Sequence, residues 1–200
     1  MRRLLAGSFT TGGRIDAERI EAALSPHTAS FLDAGPLQVA FSGATPAQSE
    51  LACLFDGYLD NAKELGEELG LPTRAEPETL LAAGYRRWGR ELIVRMRGDF
   101  VALIWDRAHG EGMLARDQLG VGGLYLADVG GSLRFASEIH HLLALLPKRP
   151  APDPVSVAHW VAVSNRPGNA TLYAGIRRLN PGCLLRLDRH GAADQGPVAR

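Results

Sequence analysis

The chain has 200 residues, of which 46% are hydrophobic, and its 22 Lys and Arg are matched by 22 Asp and Glu. That length and apolar share can bury a core without disulfide staples, and the charge balance gives no field to draw in nucleic acid or an anionic membrane. The local basic clusters "YRRWGR" (85–90) and "IRRL" (176–179) read as solvated helix and strand ends.

"MRRLLAG" carries two positive charges, but its apolar stretch breaks at Gly7 and Ser8, too early for a signal peptide, and no later run approaches membrane-spanning length. The two cysteines, Cys53 and Cys183, are far apart and each sits in an apolar run. Buried, reduced thiols in a cytoplasmic setting are expected from that placement, rather than a disulfide or a zinc site.

In chain order, "LLAGSF" (4–9), "LQVAFSG" (37–43) and "LACLF" (51–55) are short, apolar or β-forming, and bounded by Gly, Ser or Pro, which predicts strands. In "PETLLAAGYRRWG" (77–89), Pro77 and Glu78 suit a first helical turn, Leu80, Leu81, Tyr85 and Trp88 recur at helical spacing, and Gly89 can close the helix. Four apolar runs follow, at 99–106, 112–117, 123–128 and 132–137, joined by "RAHGEG", "QLGVG" and "VGG". Their economical reading is an antiparallel meander. A short helix is predicted in "SEIHHLLALL" (137–146), and then "PKRPAPDP" (147–154) places four prolines in eight residues and interrupts regular structure. Beyond it the patterns predict a helix in "SVAHWVAV" (156–163), a strand pair around "TLYAGI" (171–176) and "CLLRL" (183–187), and a loose end over the last dozen residues.

The ordered strings "LFDGYLDN", "EPETLLAAGYRRWG", "RMRGDFVALIWD", "LARDQLGVGGLY", "FASEIHHLL" and "TLYAGIRRLNPGCLLRL" resemble the N-terminal half of asparagine synthetases and their relatives. Those relatives include β-lactam synthetase and the macrolactam-forming cyclases of lasso peptides. The resemblance implies an α+β fold, a four-layer αββα sandwich of the N-terminal-nucleophile hydrolase type with mostly antiparallel sheets. It implies a class II glutamine amidotransferase-like domain over 1–146, and over 147–200 a Pro-rich linker and the start of the connection to an ATP-using synthetase domain absent from this chain. Arg116 and Asp117 become framework or interface residues, together with Gly120, Tyr125, Ser137 and Glu138, and an apolar docking surface is expected near "GVGGLY" and 171–182.

A working member hydrolyses glutamine with an N-terminal Cys nucleophile, its own α-amine as base, and an oxyanion hole of an Asn side chain and a Gly N–H. By the resemblance, Arg3 stands at the nucleophile position, where a permanently protonated guanidinium cannot attack a carbonyl. Asp56 replaces the oxyanion-holding Asn, while Gly57 and Asn61 remain. Glu76 aligns with the acid that grips the α-amino group of glutamine, and Glu78 with a second acid, which a helix N-terminus also favours. No Arg in "LQVAFSG" matches the substrate-binding Arg. Loss of both nucleophile and oxyanion donor implies a degenerate glutamine pocket of Asp56, Gly57, Asn61 and Glu76 with no catalytic residue, as in relatives whose substrate brings its own amine.

The pyrophosphate loop of the synthetase half has no counterpart: "TTGGRID" has Ile15 where an Asp is needed, and "VGGSL" reads as a hairpin turn. ATP and magnesium are therefore expected only in a partner synthetase domain or chain, with no cofactor or metal in this one. His140 and His141 are adjacent, so their side chains are expected to diverge, and Cys53 reads as an inert thiol. Asp99, Asp106 and Glu138 read as caps of strand and helix ends. Two further readings remain: a hydrolase that self-processes to expose Ser8, Thr10 or Thr11, and a module that holds a peptide or amino acid without reaction.

Overall fold

The computed structural model describes residues 4–12, 15–25, 29–42, 50–164 and 168–197. Its elements run β1 (Leu5–Thr10), α1 (Ala17–Ala22), β2 (Ala29–Ala34), β3 (Leu37–Ser42), β4 (Leu51–Leu59), α2 (Ala62–Glu68), α3 (Pro77–Trp88), α4 (Leu92–Arg95) and β5 (Gly98–Asp106). They continue with β6 (Glu111–Arg116), β7 (Tyr125–Val129), β8 (Ser132–Ala136), α5 (Ile139–Leu145), α6 (Pro154–Val161), β9 (Ile176–Arg178), β10 (Cys183–Asp188) and β11 (Gly191–Pro197). The fold is α+β, and the chain forms two compact units, each organised around one antiparallel sheet.

The first unit comprises described residues 50–122 and 181–197, and its sheet has the order β11-β10-β6-β5-β4. Alternation divides the strands between two faces. Cys53, Phe55 and Leu59 of β4, Phe100, Ala102 and Ile104 of β5, and Met113 and Leu184 pack under Leu80 and Leu81 of α3 and Leu92 and Ile93 of α4. Val101, Leu103 and Trp105 on the other face of β5 are equally buried. That is why β5 reads as a continuous apolar run instead of an alternating one. Each such side chain contributes about 1.5–3 kcal/mol on burial.

The second unit comprises described residues 4–42 and 123–180, with sheet order β2-β3-β1-β8-β7-β9. Ala6, Ala40, Ala127 and Ala136 give the sheet a flat face on which Ile20 and Leu24 from the α1 region and Leu142 and Leu145 of α5 pack. Strand β1 is interior, paired with β3 on one side and β8 on the other.

Several sequence expectations need correction. The four-strand meander is two hairpins, β5–β6 and β7–β8, in different sheets, because the 117–124 connection leads from one sheet into the other. The expected strand pair near the C-terminus does not form either: β9 pairs with β7, and β10 with β6 and β11. Within the expected loose end, β11 runs to Pro197 along β10. Turn residues mark where strands stop, whereas pairing partners follow from which edge offers unsatisfied N–H and C=O groups to a strand with a matching buried face. The residues after Pro147 thus supply strands to both sheets. Elements α1, β2, α2 and α4 are further elements that the residue patterns above do not mark.

Candidate functional site

Asp56 and Gly57 lie in β4, opposite Val101 and Phe100 of β5. Asp56 is only 2% exposed. Its side chain belongs to the sheet face opposite Cys53 and Phe55, and therefore opposite the face that α3 covers. Across the sheet the row continues through Val101 to Arg116, two strand spacings or about 9.5 Å away.

Gly57 has φ +138°, and a Cβ there would lie 2.0 Å from the Asp99 carbonyl oxygen and 2.8 Å from Phe100 Cα. No other residue fits without parting β4 from β5. Asn61, buried, uses its whole side-chain amide on backbone: Nδ2 donates to Arg95 O at 2.8 Å and Oδ1 accepts from Arg97 N at 2.9 Å. It ties the entry to β5 onto the start of α2. Glu76 is exposed at the N-terminal boundary of α3 and makes no side-chain capping bond, while Glu78 occupies the first turn. The sheet brings Asp56 and Gly57 together, places Asn61 beyond the end of the same strand, and leaves Glu76 with α3. Arg3 lies outside the described residues.

The "ARDQLGVG" segment of this unit is braced by its own side chains. The Asp117 carboxylate, fully buried, accepts from Leu119 N at 3.0 Å, Val121 N at 3.1 Å and Gly122 N at 2.8 Å. Arg116 donates to Gly122 O at 2.5 Å through Nε and to Gly120 O through Nη2. Gly120, at φ +69°, has Pro181 Cγ 2.8 Å from where a Cβ would stand, so the loop is closed around it. Gln118, which sequence reasoning passed over, anchors the loop from outside by donating to Ile93 O and Met96 O at 3.0 and 3.1 Å. The cage presents two apolar side chains to solvent, Leu119 at 80% and Val121 at 56% exposure. A lone Gln in a loop carries no sequence signal for such an anchor.

In the second unit Ser137 fastens the end of β8 to the start of β1. Its Oγ accepts from Leu5 N at 3.0 Å, and its backbone N donates to Leu5 O at 2.9 Å. Ser42 adds a second fastening by accepting from Leu4 N at 2.7 Å. Tyr125 is half-buried in β7 between Ala136 and Arg178. Glu138 precedes α5 without a side-chain cap bond and lies 3.3 Å from His140 Nδ1. The expected divergence of His140 and His141 is not observed: their ring centroids are 3.9 Å apart, at 55° to each other. Ring rotation about χ1 and χ2 brings together side chains that leave the helix in different directions. In the 171–182 stretch, Leu172 is exposed but Ile176 and Leu179 are buried.

Cys53 faces the helix-covered core, where burial chiefly, with Glu78 adding and Arg86 opposing, pushes its thiol up to about 12. Both cysteines are buried, and neither forms a disulfide. Among the described residues, no group of three or more His, Cys, Asp or Glu is placed to hold a metal ion, and no helix is long and apolar enough to cross a membrane.

Residues 38–196 match the family described as the glutamine amidotransferase domain. The chain is 32% identical over 154 residues to a putative glutamine-hydrolysing asparagine synthetase of Mycobacterium tuberculosis, covering 72% of this chain and 24% of that protein. It is 30% identical over 143 residues to glutamine-hydrolysing asparagine synthetase 1 of Bacillus subtilis, covering 69% and 22%. The chain thus spans about a quarter of the length of these curated relatives. Among solved structures it is similar to glutamine phosphoribosylpyrophosphate amidotransferase from B. subtilis, with a TM-score of 0.54 and 16% identity over 97% of this chain and 42% of that one.

Proposed function

The chain belongs to the glutamine amidotransferase domain family, of the asparagine synthetase kind, and from that membership we propose that it is a degenerate, non-glutaminase domain. Its role in this reading is that of a structural partner to an ATP-using synthetase domain or chain in a ligase that forms amides or macrolactams. ATP and magnesium act in that partner, in the cytoplasm, and the substrate supplies its own amine.

Asp56 is the observation that carries the reading. A buried Asp stands where the resemblance requires an amide donor, so the NH₂ that would point at a developing oxyanion is missing, and an ionised carboxylate in its place only accepts hydrogen bonds. Loss of one such donor lowers a rate by about a hundredfold or more, and the Arg3 guanidinium offers no replacement nucleophile. The commitment of Asn61 to Arg95 and Arg97 supports a framework role for it. The braced loop with Leu119 and Val121 exposed supports a docking face for the synthetase partner.

Self-processing at Ser8, Thr10 or Thr11 is disfavoured by the position of β1. Ser8 is fully buried in the middle of that strand, between Gln38 and Arg134, and its Oγ accepts from Arg134 Nη1. Cleavage there would remove half of an interior strand.

Ammonia release from glutamine, measured with the intact mass of the same sample, tests the proposal. No release above a denatured control from an uncleaved chain is expected, and Asp56→Asn does not restore it. Release by the wild-type chain would overturn the reading, and the mass would identify the exposed nucleophile.

A further inference from the structure

Helix α4 is a single turn of four residues, and a lone turn costs more conformational entropy than its few hydrogen bonds return. Leu92, Ile93 and Met96 bury one side of it in the core of the first unit. Its C-terminal carbonyls still need donors. Two side-chain amides supply them, from segments far apart in the chain.

Asn61, two residues beyond the end of β4, donates Nδ2 to Arg95 O at 2.8 Å and accepts from Arg97 N at 2.9 Å. Beside it the backbone N of Asp60 donates to Arg97 O at 2.8 Å. Gln118, in the loop after β6, donates Nε2 to Ile93 O at 3.0 Å and to Met96 O at 3.1 Å. Ile93 and Met96 are neighbours on the turn, with Arg95 on its other side, so the two amides hold opposite sides of one element. Unwinding that turn breaks both sets of bonds together. Each amide therefore stabilises the acceptors that the other uses, and a bond lost on one side weakens the other.

We propose that Asn61 and Gln118 are positioning residues for the face formed by Leu119 and Val121, and that α4 couples this face to the end of β4, where Asp56 and Gly57 lie. The inference rests on the proposed role of that face in docking a synthetase partner. The Asp117 carboxylate fixes the internal shape of the loop, whereas Gln118 ties it to the helical layer. A partner seated on Leu119 and Val121 restrains the adjoining Gln118, and so favours the formed turn and the bonds of Asn61. Coupling is reciprocal, so a ligand or substitution at the end of β4 changes the docking affinity by the same factor.

Amide NMR shifts and urea unfolding of the full chain, in Asn61→Asp, Gln118→Glu and the double variant, test this. Both substitutions exchange an NH₂ for an oxygen of nearly the same shape, so the carbonyls of α4 lose donors while the packing stays. Gln118 is exposed, and Asn61→Asp retains the acceptor for Arg97 N, so both variants should fold. Asn61→Asp should shift the amides of Leu119 and Val121, and Gln118→Glu those of Asp60 and Arg97. A loss of global stability alone moves neither set. Lys63→Ala, at a residue that pairs with Glu67 on α2, is the control and should leave both sets in place. In urea the folding constant of the double variant should fall at least about threefold less than the product of the single losses. Unmoved amides across α4, or losses that simply multiply, overturn the proposal. Ammonia release from glutamine by the wild-type chain would instead overturn the proposed function and leave these shifts in place, so the two failures are distinguishable.

Discussion

Replacing Asp117 tests whether the loop after β6 is held by one carboxylate. Three backbone N–H groups converge on it, two on Oδ1 at 3.0 and 3.1 Å and one on Oδ2 at 2.8 Å. A hydrogen bond to a charged group contributes about 1.5–3 kcal/mol. Asp117→Asn keeps one carbonyl oxygen for Leu119 N and Val121 N but sets an NH₂ against Gly122 N, the buried member of the set. The expected cost is about 2–3 kcal/mol. Asp117→Ala orphans all three donors, of which water can recover the two part-buried ones, so about 3–5 kcal/mol is expected. With a urea slope of about 2 kcal/mol per molar, the midpoint followed by circular dichroism should fall about 1 M for Asn and about 2 M for Ala. Hydrogen exchange at Val121 and Gly122 should accelerate in both variants. A midpoint for Asp117→Asn within about 0.25 M of wild type, with unchanged exchange, would refute the cage.

Gly57→Ala puts a methyl 2.0 Å from the Asp99 carbonyl oxygen in a backbone conformation hostile to L side chains, so a loss above about 3 kcal/mol is expected in the same urea assay. Asp106 lies below its ordinary 3.8: burial acts upward but is outweighed by bonds from the side chain and backbone of His109, by its charge and by Ala108 N. The same carboxylate raises His109 above 6.5 through its hydrogen bond and charge. The His109 contribution is complete below pH 6.5 and is lost as pH rises through its folded value, and that of Asp106 is complete above 3.8 and is lost as pH falls through its own. Proton NMR titration should find His109 above 6.5 in wild type and lower in Asp106→Asn; equal values would refute the pairing. Cys53, with its thiol pushed up to about 12, should resist iodoacetamide at pH 8 in the native chain and react fully in urea, as read by intact mass.

Locally encoded features were legible in the sequence. The helix from Pro77 to Trp88 carries its own start signal, apolar stripe and terminating Gly89, and strands β1, β3 and β5 carry apolar runs bounded by breakers. The resemblance marked Arg116 and Asp117 as framework or interface residues, and a charged pair that closes an apolar run has to be satisfied somewhere. That Asp56 lacks the NH₂ donor of an Asn followed from residue type alone.

The tertiary structure alone decided which strands pair. The "QLGVG" and "NPG" turns are compatible with hairpins, yet β6 and β7 enter different sheets and β9 and β10 have different partners, because pairing is a competition among distant edges that no short window contains. It also decided that Asn61 spends its amide on Arg95 and Arg97, that Asp117 grips a loop rather than only its neighbour Arg116, and that Gln118 meets the same turn at Ile93 and Met96. Residue type limits the bonds a side chain can make, and the meeting of segments far apart in the chain selects the ones it makes.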